Sequence, residues 1–481
     1  MTETAQPEFL SAIVLAAGLG TRMRSQVIKV LHRLCGRPML EYPLRLLAPL
    51  GVSRTALVLG YQADKVEAQL RERALQVPEL RIAIQEQQRG TADAVRSALP
   101  QLPAPAPGQR ERILILYGDT PLLLLPRLQQ LLQAAAGRKL AMLATTLADP
   151  RGYGRLQRSA SGRPLRIVED RDCDAEQRQI AEINAGIYVV DGEFLRSALS
   201  RVTAHNAQRE LYLTDLVAMA AEAGDEVMVV SAPPEEVLGV NDRVDLATAE
   251  AVLRRRINEA HQRAGVTLRD PATTYIDDEV QIGQDTELGP GVCLRGRCVI
   301  GARCTIDSGS VLTAVTVAAD THIKPYTVAT EATVGDKVAL GPFSHLRPGS
   351  VLESGAHVGN FVELKQTRLG KGSKANHLSY LGDAEIGQGV NVGCGTITCN
   401  YDGFSKHKTI VEDDVFIGSD TQLVAPVRVG QGAIIASGTT VVSDIPAQSL
   451  TLARAPQVNK PGYAPGLRER LRAKKKAPPQ P

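Results

Sequence analysis

The sequence predicts an α/β chain in two parts: an N-terminal half with helices around a mostly parallel sheet, a linker helix, and a C-terminal β-helix of six-residue repeats. Three observations predict it. Short apolar runs alternate with helix-length segments up to about residue 240. A charged stretch without Gly or Pro follows, and from Ile276 onward aliphatic residues recur at every sixth position. At 481 residues the chain exceeds what one hydrophobic core holds, so more than one domain is required.

The strands of the first half are read at Leu10 to Leu15, Ala56 to Leu59, Ile82 to Ile84, Ile113 to Tyr117, Ala141 to Ala144, Ile187 to Val190 and Val227 to Val230. None alternates apolar with polar residues, which marks strands buried on both faces. Helical patterns such as Glu41 to Leu50 and Ala92 to Leu99 separate them, and the domain spans 1–241. The linker helix covers 242–264, with Val244, Ala247, Ala251 and Ile257 expected on its apolar face. The repeat domain spans 265–456. Its aliphatic register runs through Ile282, Leu288, Leu294, Ile300, Ile306 and Leu312, resumes from Val334 to Leu364 and again from Ile417 to Val441. Neither helix nor strand has a six-residue period, whereas a triangular coil does: each flat side supplies one inward aliphatic residue, and the Gly that often follows (283, 289, 301, 335, 341, 359, 418, 430) is expected to permit the corner. Residues 366–381 and 398–410 break the register and are expected to be excursions that build a binding face. The basic, Pro-terminated stretch 457–481 is expected to be a disordered tail.

Composition excludes several classes. The net charge of +3, from 55 basic and 52 acidic residues, is too balanced for nucleic acid as the main partner. The apolar stretch Phe9 to Leu19 follows Glu3 and Glu8, and the first basic residue is Arg22, which is the wrong charge order for an export signal. No run approaches the roughly 20 apolar residues that span a bilayer, so membrane insertion is not expected. Seven Cys without CxxC pairs or zinc spacing fit reduced thiols in the cytoplasm.

The first strand runs into Leu15-Ala16-Ala17-Gly18-Leu19-Gly20-Thr21-Arg22-Met23, with Lys29 six residues beyond. A Gly-rich turn after a buried strand lets backbone N–H groups approach a phosphate, and Arg22 and Lys29 can neutralise charge developing in phosphoryl transfer. The stretch lacks the GKS or GKT of a Walker loop. It resembles the signature of the sugar-phosphate nucleotidyltransferases. Further segments, Gln85 with Gln88 to Thr91, Tyr117-Gly118-Asp119 and Glu182-Ile183-Asn184, are similar to those of the bacterial N-acetylglucosamine-1-phosphate uridyltransferases. That resemblance implies a Rossmann-like nucleotidyltransferase domain. In it Leu15, Ala16, Ala17, Gly18, Gln85, Gly90 and Thr91 hold the nucleotide, Tyr117 and Gly118 line the site, Gly154, Glu169 and Asn184 hold the sugar, and Arg22 and Lys29 are catalytic. It also implies Mg²⁺ on Asp119 and Asn241, a carboxylate and an amide oxygen that leave coordination positions for phosphates and water. Ile28 stands where the family usually has Pro, and Leu19 where it is often basic.

The repeat domain carries Arg347, Lys365, His377, Tyr380, Asn391, Asn400, Tyr401 and Lys406. Arg, Lys and Tyr suit a phosphate, and His suits a base for an ammonium that must lose a proton before attacking a thioester. The segments His345-Leu346-Arg347-Pro348-Gly349, Gly359 to Lys365 and Asn400-Tyr401-Asp402-Gly403 resemble the acetyltransferase half of the bifunctional bacterial enzymes that make UDP-N-acetylglucosamine, a precursor of peptidoglycan and lipopolysaccharide. The resemblance implies that Arg347, Lys365, Tyr380 and Lys406 bind glucosamine 1-phosphate, Asn391 contacts its sugar and His377 is the general base. Cys394, Asn400, Tyr401, Ser419, Ser437 and Arg454 would line the acetyl-CoA groove, Cys394 and Ser437 standing where Ala is common. It further implies a left-handed parallel β-helix, a homotrimer, and UTP and acetyl-CoA as co-substrates, N-acetylglucosamine 1-phosphate being the intermediate.

Two other readings remain at this point: a monofunctional nucleotidyltransferase with a regulatory β-helix, as in the similar ADP-glucose pyrophosphorylases, and a degenerate scaffold that binds partners. His377 with Asn400-Tyr401 speaks against the first. Intact Arg22, Lys29, Asp119 and Asn241 speak against the second.

Overall fold

The computed structural model describes residues 8–104 and 109–476; Glu3, part of the export reading, and the last residues of the tail lie outside them. Each of the seven apolar runs forms a strand. Side by side, the strands are Met228–Ser231, Leu140–Thr146, Glu182–Asp191, Arg110–Tyr117, Glu8–Ala16, Arg54–Leu59 and Leu80–Ile84. All pair in parallel except Glu182–Asp191, which is antiparallel to both neighbours. The unbroken apolar runs follow from burial on both sides: along Glu8–Ala16, Ile13 and Leu15 enter one core while Ala12 and Val14 enter the other.

The chain divides into two compact units, Met1–His261 with Tyr275–Glu279, and Gln262–Thr274 with Val280–Pro481. The expected boundaries at 241 and 264 shift for two reasons. The helix Arg243–Arg263 is not a free connector: Ala249 and Leu253, backed by Leu246 and Ile257, pack on Leu34, Met39 and Leu122 of the first unit. Its buried face therefore differs from the one expected, and Val244 is 74% exposed. The short segment Tyr275–Glu279 belongs to the first unit because Asp278 pairs with Arg37 and Arg45, and Glu279 with Arg73 at 2.9 Å. Arg37 and Arg73 in turn satisfy the carboxylate of Glu41, which is 1% exposed.

In the second unit successive coils lay their strands in three parallel sheets. One inward line runs Leu288, Ile306, Ile323, Leu340, Val358, Ala375, Val392, Ile417, Ile435, each paired with the next and buried. The line has no gap where the six-residue register seemed to lapse. Val317 follows Leu312, Val334 follows Ala329, Leu369 follows Leu364 and Ile386 follows Leu381 after five residues, and all are buried. Residues 366–381 are thus an ordinary coil with inward Leu369, Ala375 and Leu381, which corrects the expected excursion; a shortened side and a small inward Ala hid the repeat. The second expected excursion narrows to the loop closed by the Tyr401–Lys406 bridge, since Thr398 and Thr409 are buried.

The repeat glycines also act differently from expectation. Of the eight, only Gly341 has a left-handed φ, 98°. At the other seven a Cβ would lie 2.0 to 2.7 Å from an atom of the next coil, for instance 2.7 Å from the Ala318 carbonyl carbon at Gly301. Close stacking of coil on coil, not the corner, demands them. The corners fall nearby, many on non-glycine residues such as Arg303, Tyr326, Lys337 and Asp383. Finally, the stretch expected to be disordered carries a helix, Tyr463–Lys476, whose Leu, Arg, Ala, Glu and Lys are strong helix formers.

Candidate active sites

The strand order places the first site. From Glu8–Ala16 the chain builds outward to one edge through Arg54–Leu59 and Leu80–Ile84, then returns to the other side with Arg110–Tyr117. A crevice opens beyond the carboxyl ends of parallel strands at such a reversal. Leu15 and Tyr117 are paired there, and Gly118 N donates to Leu15 O at 2.8 Å. A cavity of about 380 Å³ occupies the crevice, lined by Leu15 to Gly18, Arg22, Lys29, Gln85, Gly90, Thr91, Tyr117, Asp119 and Asn241.

Local chemistry fixes each group. Gly20 has φ 61°, and a Cβ on it would stand 2.5 Å from Lys29 Cβ, so the loop crosses Lys29 only as glycine. Gln88 Nε2 donates to Ala17 O at 2.6 Å and anchors the loop. Gln85 Nε2 donates to Gly90 O and to Asp93 Oδ2. Lys29 Nζ donates to Asp119 Oδ2 at 2.5 Å and to Asn241 Oδ1 at 3.4 Å, while Arg22 donates to the same amide oxygen at 2.9 Å. A carboxylate and an amide oxygen thus converge on one cation. Asp119 caps no turn with its side chain; its main-chain oxygen accepts from Val240 N at 2.9 Å, which ties the Asn241 segment to it.

Gly154, Glu169 and Asn184 form a separate group outside that cavity lining. Asn184 N donates to Gly154 O at 2.9 Å, Asn184 Oδ1 accepts from Gly186 N at 2.9 Å, and Thr214 Oγ1 donates to Glu169 Oε1 at 3.1 Å. Burial pushes the Glu169 carboxyl above its usual range, the Thr214 bond opposes this, and Asp172, Asp215 and Glu210 add to it. Burial also pushes the Tyr117 phenol well up, with Glu169 and Asp119 adding to it. Glu210, which lines the cavity, carried no sequence signal because it belongs to no motif.

In the second unit the candidates fall into two groups. Lys374, Asn391, Phe416 and Ile434 pair in succession, so the positions three further on, His377, Cys394, Ser419 and Ser437, share one line along a corner. At about 4.8 Å per coil the line runs some 14 Å. Arg454 extends it by donating to Ser437 O at 2.9 Å. The other group gathers at the next corner. Lys365 Nζ lies 3.5 Å from Asp383 Oδ2, Asn400 Nδ2 donates to Asp383 and reaches Tyr380 Oη at 3.5 Å, and Arg347 pairs with Glu363 at 2.9 Å. Lys365 stands above its ordinary range and Lys406 below it, the two groups acting on one another, while Asp383 favours the charged form of each. Strand Tyr380–Gly382 separates the groups. Asp383 lies six residues after His377, up to about 20 Å of extended chain. His377 and Lys365 lie on different strands of the coil, Lys374–His377 and Glu363–Lys365.

A parallel sheet with a nucleotide-sized crevice, joined to a coil bearing a basic cluster and a His-led groove, defines a protein with two transferase sites. Residues 12–182 match the MobA-like NTP transferase domain, and residues 279–314 and 408–443 match the bacterial transferase hexapeptide repeats, which belong with a left-handed parallel β-helix. The bifunctional protein GlmU of Trichlorobacter lovleyi is 51% identical over 456 residues, covering 94% of this chain and 97% of that protein. That of Sorangium cellulosum is 50% identical over 471 residues, covering 97% and 98%. The chain belongs to the bifunctional GlmU family. It is a bifunctional transferase, and the monofunctional reading is set aside. Among the described residues no helix is long and apolar enough to cross a membrane.

Proposed function

We propose that the second unit acetylates glucosamine 1-phosphate from acetyl-CoA and that the first unit joins the product, N-acetylglucosamine 1-phosphate, to UTP, giving UDP-N-acetylglucosamine and pyrophosphate. The observation that carries this reading is the gathering of the candidate residues into separate clusters of fitting chemistry, one set in each unit.

In the first unit a phosphate oxygen of the sugar phosphate attacks the α-phosphorus of UTP, the bond to the β-phosphate oxygen breaks, and pyrophosphate leaves. No protein nucleophile is needed. Gln85, Gly90 and Thr91 hold the uridine, the loop Leu15 to Gly18 offers backbone to the phosphates, and Gly154, Glu169 and Asn184 hold the sugar. Arg22 and Lys29 neutralise charge building at phosphorus. Asp119 and Asn241 would hold Mg²⁺: their oxygens already converge on the Lys29 ammonium, and a hard cation keeping its water needs few protein ligands. Among the described residues no group of three or more His, Cys, Asp or Glu forms a fuller cage. Bound there, the ion supplies further charge neutralisation to the phosphates.

In the second unit Arg347, Lys365, Tyr380 and Lys406 take the phosphate, and Asn391 touches the sugar. His377 removes a proton from the glucosamine ammonium, the amine attacks the thioester carbonyl, and the C–S bond breaks to release coenzyme A, whose thiolate is protonated. Cys394, Asn400, Tyr401, Ser419, Ser437 and Arg454 line its groove. The site is assigned to the seam between subunits of a homotrimer, in keeping with the hexapeptide coil, with His377 and Lys365 taken from different copies. The enzyme is placed in the cytoplasm, in keeping with free thiols at Cys35, Cys173, Cys394 and Cys399.

Mixed assembly tests this. His377→Ala and Lys365→Ala chains, each strongly impaired in acetyl transfer alone at low glucosamine 1-phosphate, are denatured and refolded together in equal amounts. A seam site regains about a quarter of the wild-type rate by random assembly. A site within one chain regains none.

A further inference from the structure

We infer that Asp383 is a positioning residue for acetyl transfer: its carboxylate holds Lys365 and Asn400 together, joining the phosphate end of the site to the coenzyme end. The inference rests on the roles assigned above to those two residues.

Asp383 was singled out by no motif, yet the chain is built around it. It forms the corner between strands Tyr380–Gly382 and Ala384–Ile386, with φ 51°. Among non-glycine residues, Asp and Asn tolerate that conformation best. Its main chain is tied to the coils on both sides: Asp383 N donates to Lys365 O at 2.9 Å, and Thr409 N donates to Asp383 O at 3.1 Å. The side chain, 16% exposed, places Oδ2 3.5 Å from Lys365 Nζ and accepts from Asn400 Nδ2. The preceding residue enforces this arrangement. A Cβ at Gly382 would stand 2.4 Å from Tyr380 Oη and 2.7 Å from Asn400 Nδ2, so only glycine leaves room for both beside Asp383. Three candidate substrate-binding side chains thus meet around Gly382-Asp383.

Charge supplies the reason for an acid here. Lys365 and Lys406 act on one another's charge, and Arg347 disfavours the charged form of Lys406 as well. Cations gathered for a phosphate repel one another before it arrives. Asp383 favours the charged form of both lysines, and Glu363 pairs with Arg347 at 2.9 Å. At 3.5 Å the ion pair with Lys365 is a loose one, and what Asp383 supplies is the placing of Lys365 and Asn400.

The test uses full-length chains and measures KM for both acetyl-transfer substrates, with uridylyl transfer by the same chains as the check that they fold. Asp383→Ala is expected to raise KM for glucosamine 1-phosphate and for acetyl-CoA by about 10- to 100-fold each, as for loss of a hydrogen bond to a charged group. Asp383→Asn suits the same backbone and keeps an oxygen that accepts from Asn400, but loses the charge facing Lys365. It is expected to restore the acetyl-CoA KM while leaving that for glucosamine 1-phosphate raised. Wild-type KM values in Asp383→Ala, or an Asp383→Asn chain no better than Asp383→Ala for acetyl-CoA, overturn the inference. Lys365→Ala separates the two layers. A raised KM there beside wild-type values in Asp383→Ala overturns the role of Asp383 alone. An unchanged KM for glucosamine 1-phosphate in Lys365→Ala refutes the phosphate assignment of Lys365, and with it the phosphate half of the role given to Asp383.

Discussion

Glu169, proposed to hold the sugar, weighs against stability. Burial raises its carboxyl pKa in the folded chain. Below the unfolded value of about 4.3, the group is protonated in both states and imposes no penalty. As pH rises through the folded value, the folded chain must hold a half-buried carboxylate, and stability is lost relative to the unfolded chain. Glu169→Gln keeps the acceptor for Thr214 and removes the charge, so it is expected to raise the melting temperature of the first unit at pH 7.5 while the gain fades toward about pH 4. The same change should raise KM for N-acetylglucosamine 1-phosphate about 10-fold through loss of a charged acceptor. Melting curves at the two pH values check the first statement; an equal shift at both would contradict it. Residues such as Lys29 and Asp119 were legible in the sequence because a contiguous signature carries them. Glu210 and Asp383 were not, because only the folded chain places them beside the site.

The coil is held by close stacking at its glycines, and this can be tested away from either site. Gly301→Ala would put a Cβ 2.7 Å from the Ala318 carbonyl carbon and the Ala319 nitrogen. Neither atom can move without shifting a whole coil, so a loss of about 1–3 kcal/mol is expected in the second unit. Acetyl transfer should then fail at a lower temperature, with the temperature at which uridylyl transfer fails unchanged. An unaltered inactivation curve for acetyl transfer would count against close stacking. Seven strands of the first unit could be read from the sequence as unbroken apolar runs, which burial on both faces explains for the five inner ones but not for the edge strands Leu80–Ile84 and Met228–Ser231. The β-helix could be read from its period, but the coil through 366–381 could not: a five-residue side from Leu364 to Leu369 shifts the register, and Ala375 fills an inward position without adding to the aliphatic pattern. On the helix Arg243–Arg263 the apolar residues outnumber one face, and only packing on Leu34, Met39 and Leu122 selects Leu246, Ala249, Leu253 and Ile257. The tail helix lacked an apolar periodicity to announce it.

At the scale of the molecule, the first unit reaches beyond the point where a domain boundary would be drawn from the sequence, because Tyr275–Glu279 belongs to it. A chain ended at residue 280 keeps Asp278 and Glu279 as partners of Arg37 and Arg73. One ended at 262 leaves those guanidiniums shared only with Glu41, and is expected to be less stable by about 1–3 kcal/mol in urea unfolding, since partly buried charges lose partners. Both should keep uridylyl transfer. A chain ended at 235 lacks Asn241 and should not; equal activity in all three would contradict the assignment of Asn241. The protein is expected to carry out its two reactions in sequence at sites that do not depend on one another. Product analysis with UTP, acetyl-CoA and glucosamine 1-phosphate, omitting each in turn, for the wild-type chain and for Asp119→Ala, checks this. UDP-N-acetylglucosamine and pyrophosphate should form only when all three are present, and N-acetylglucosamine 1-phosphate should accumulate at the wild-type rate in Asp119→Ala. Pyrophosphate release at full rate without acetyl-CoA, or loss of acetyl transfer in Asp119→Ala, would contradict it.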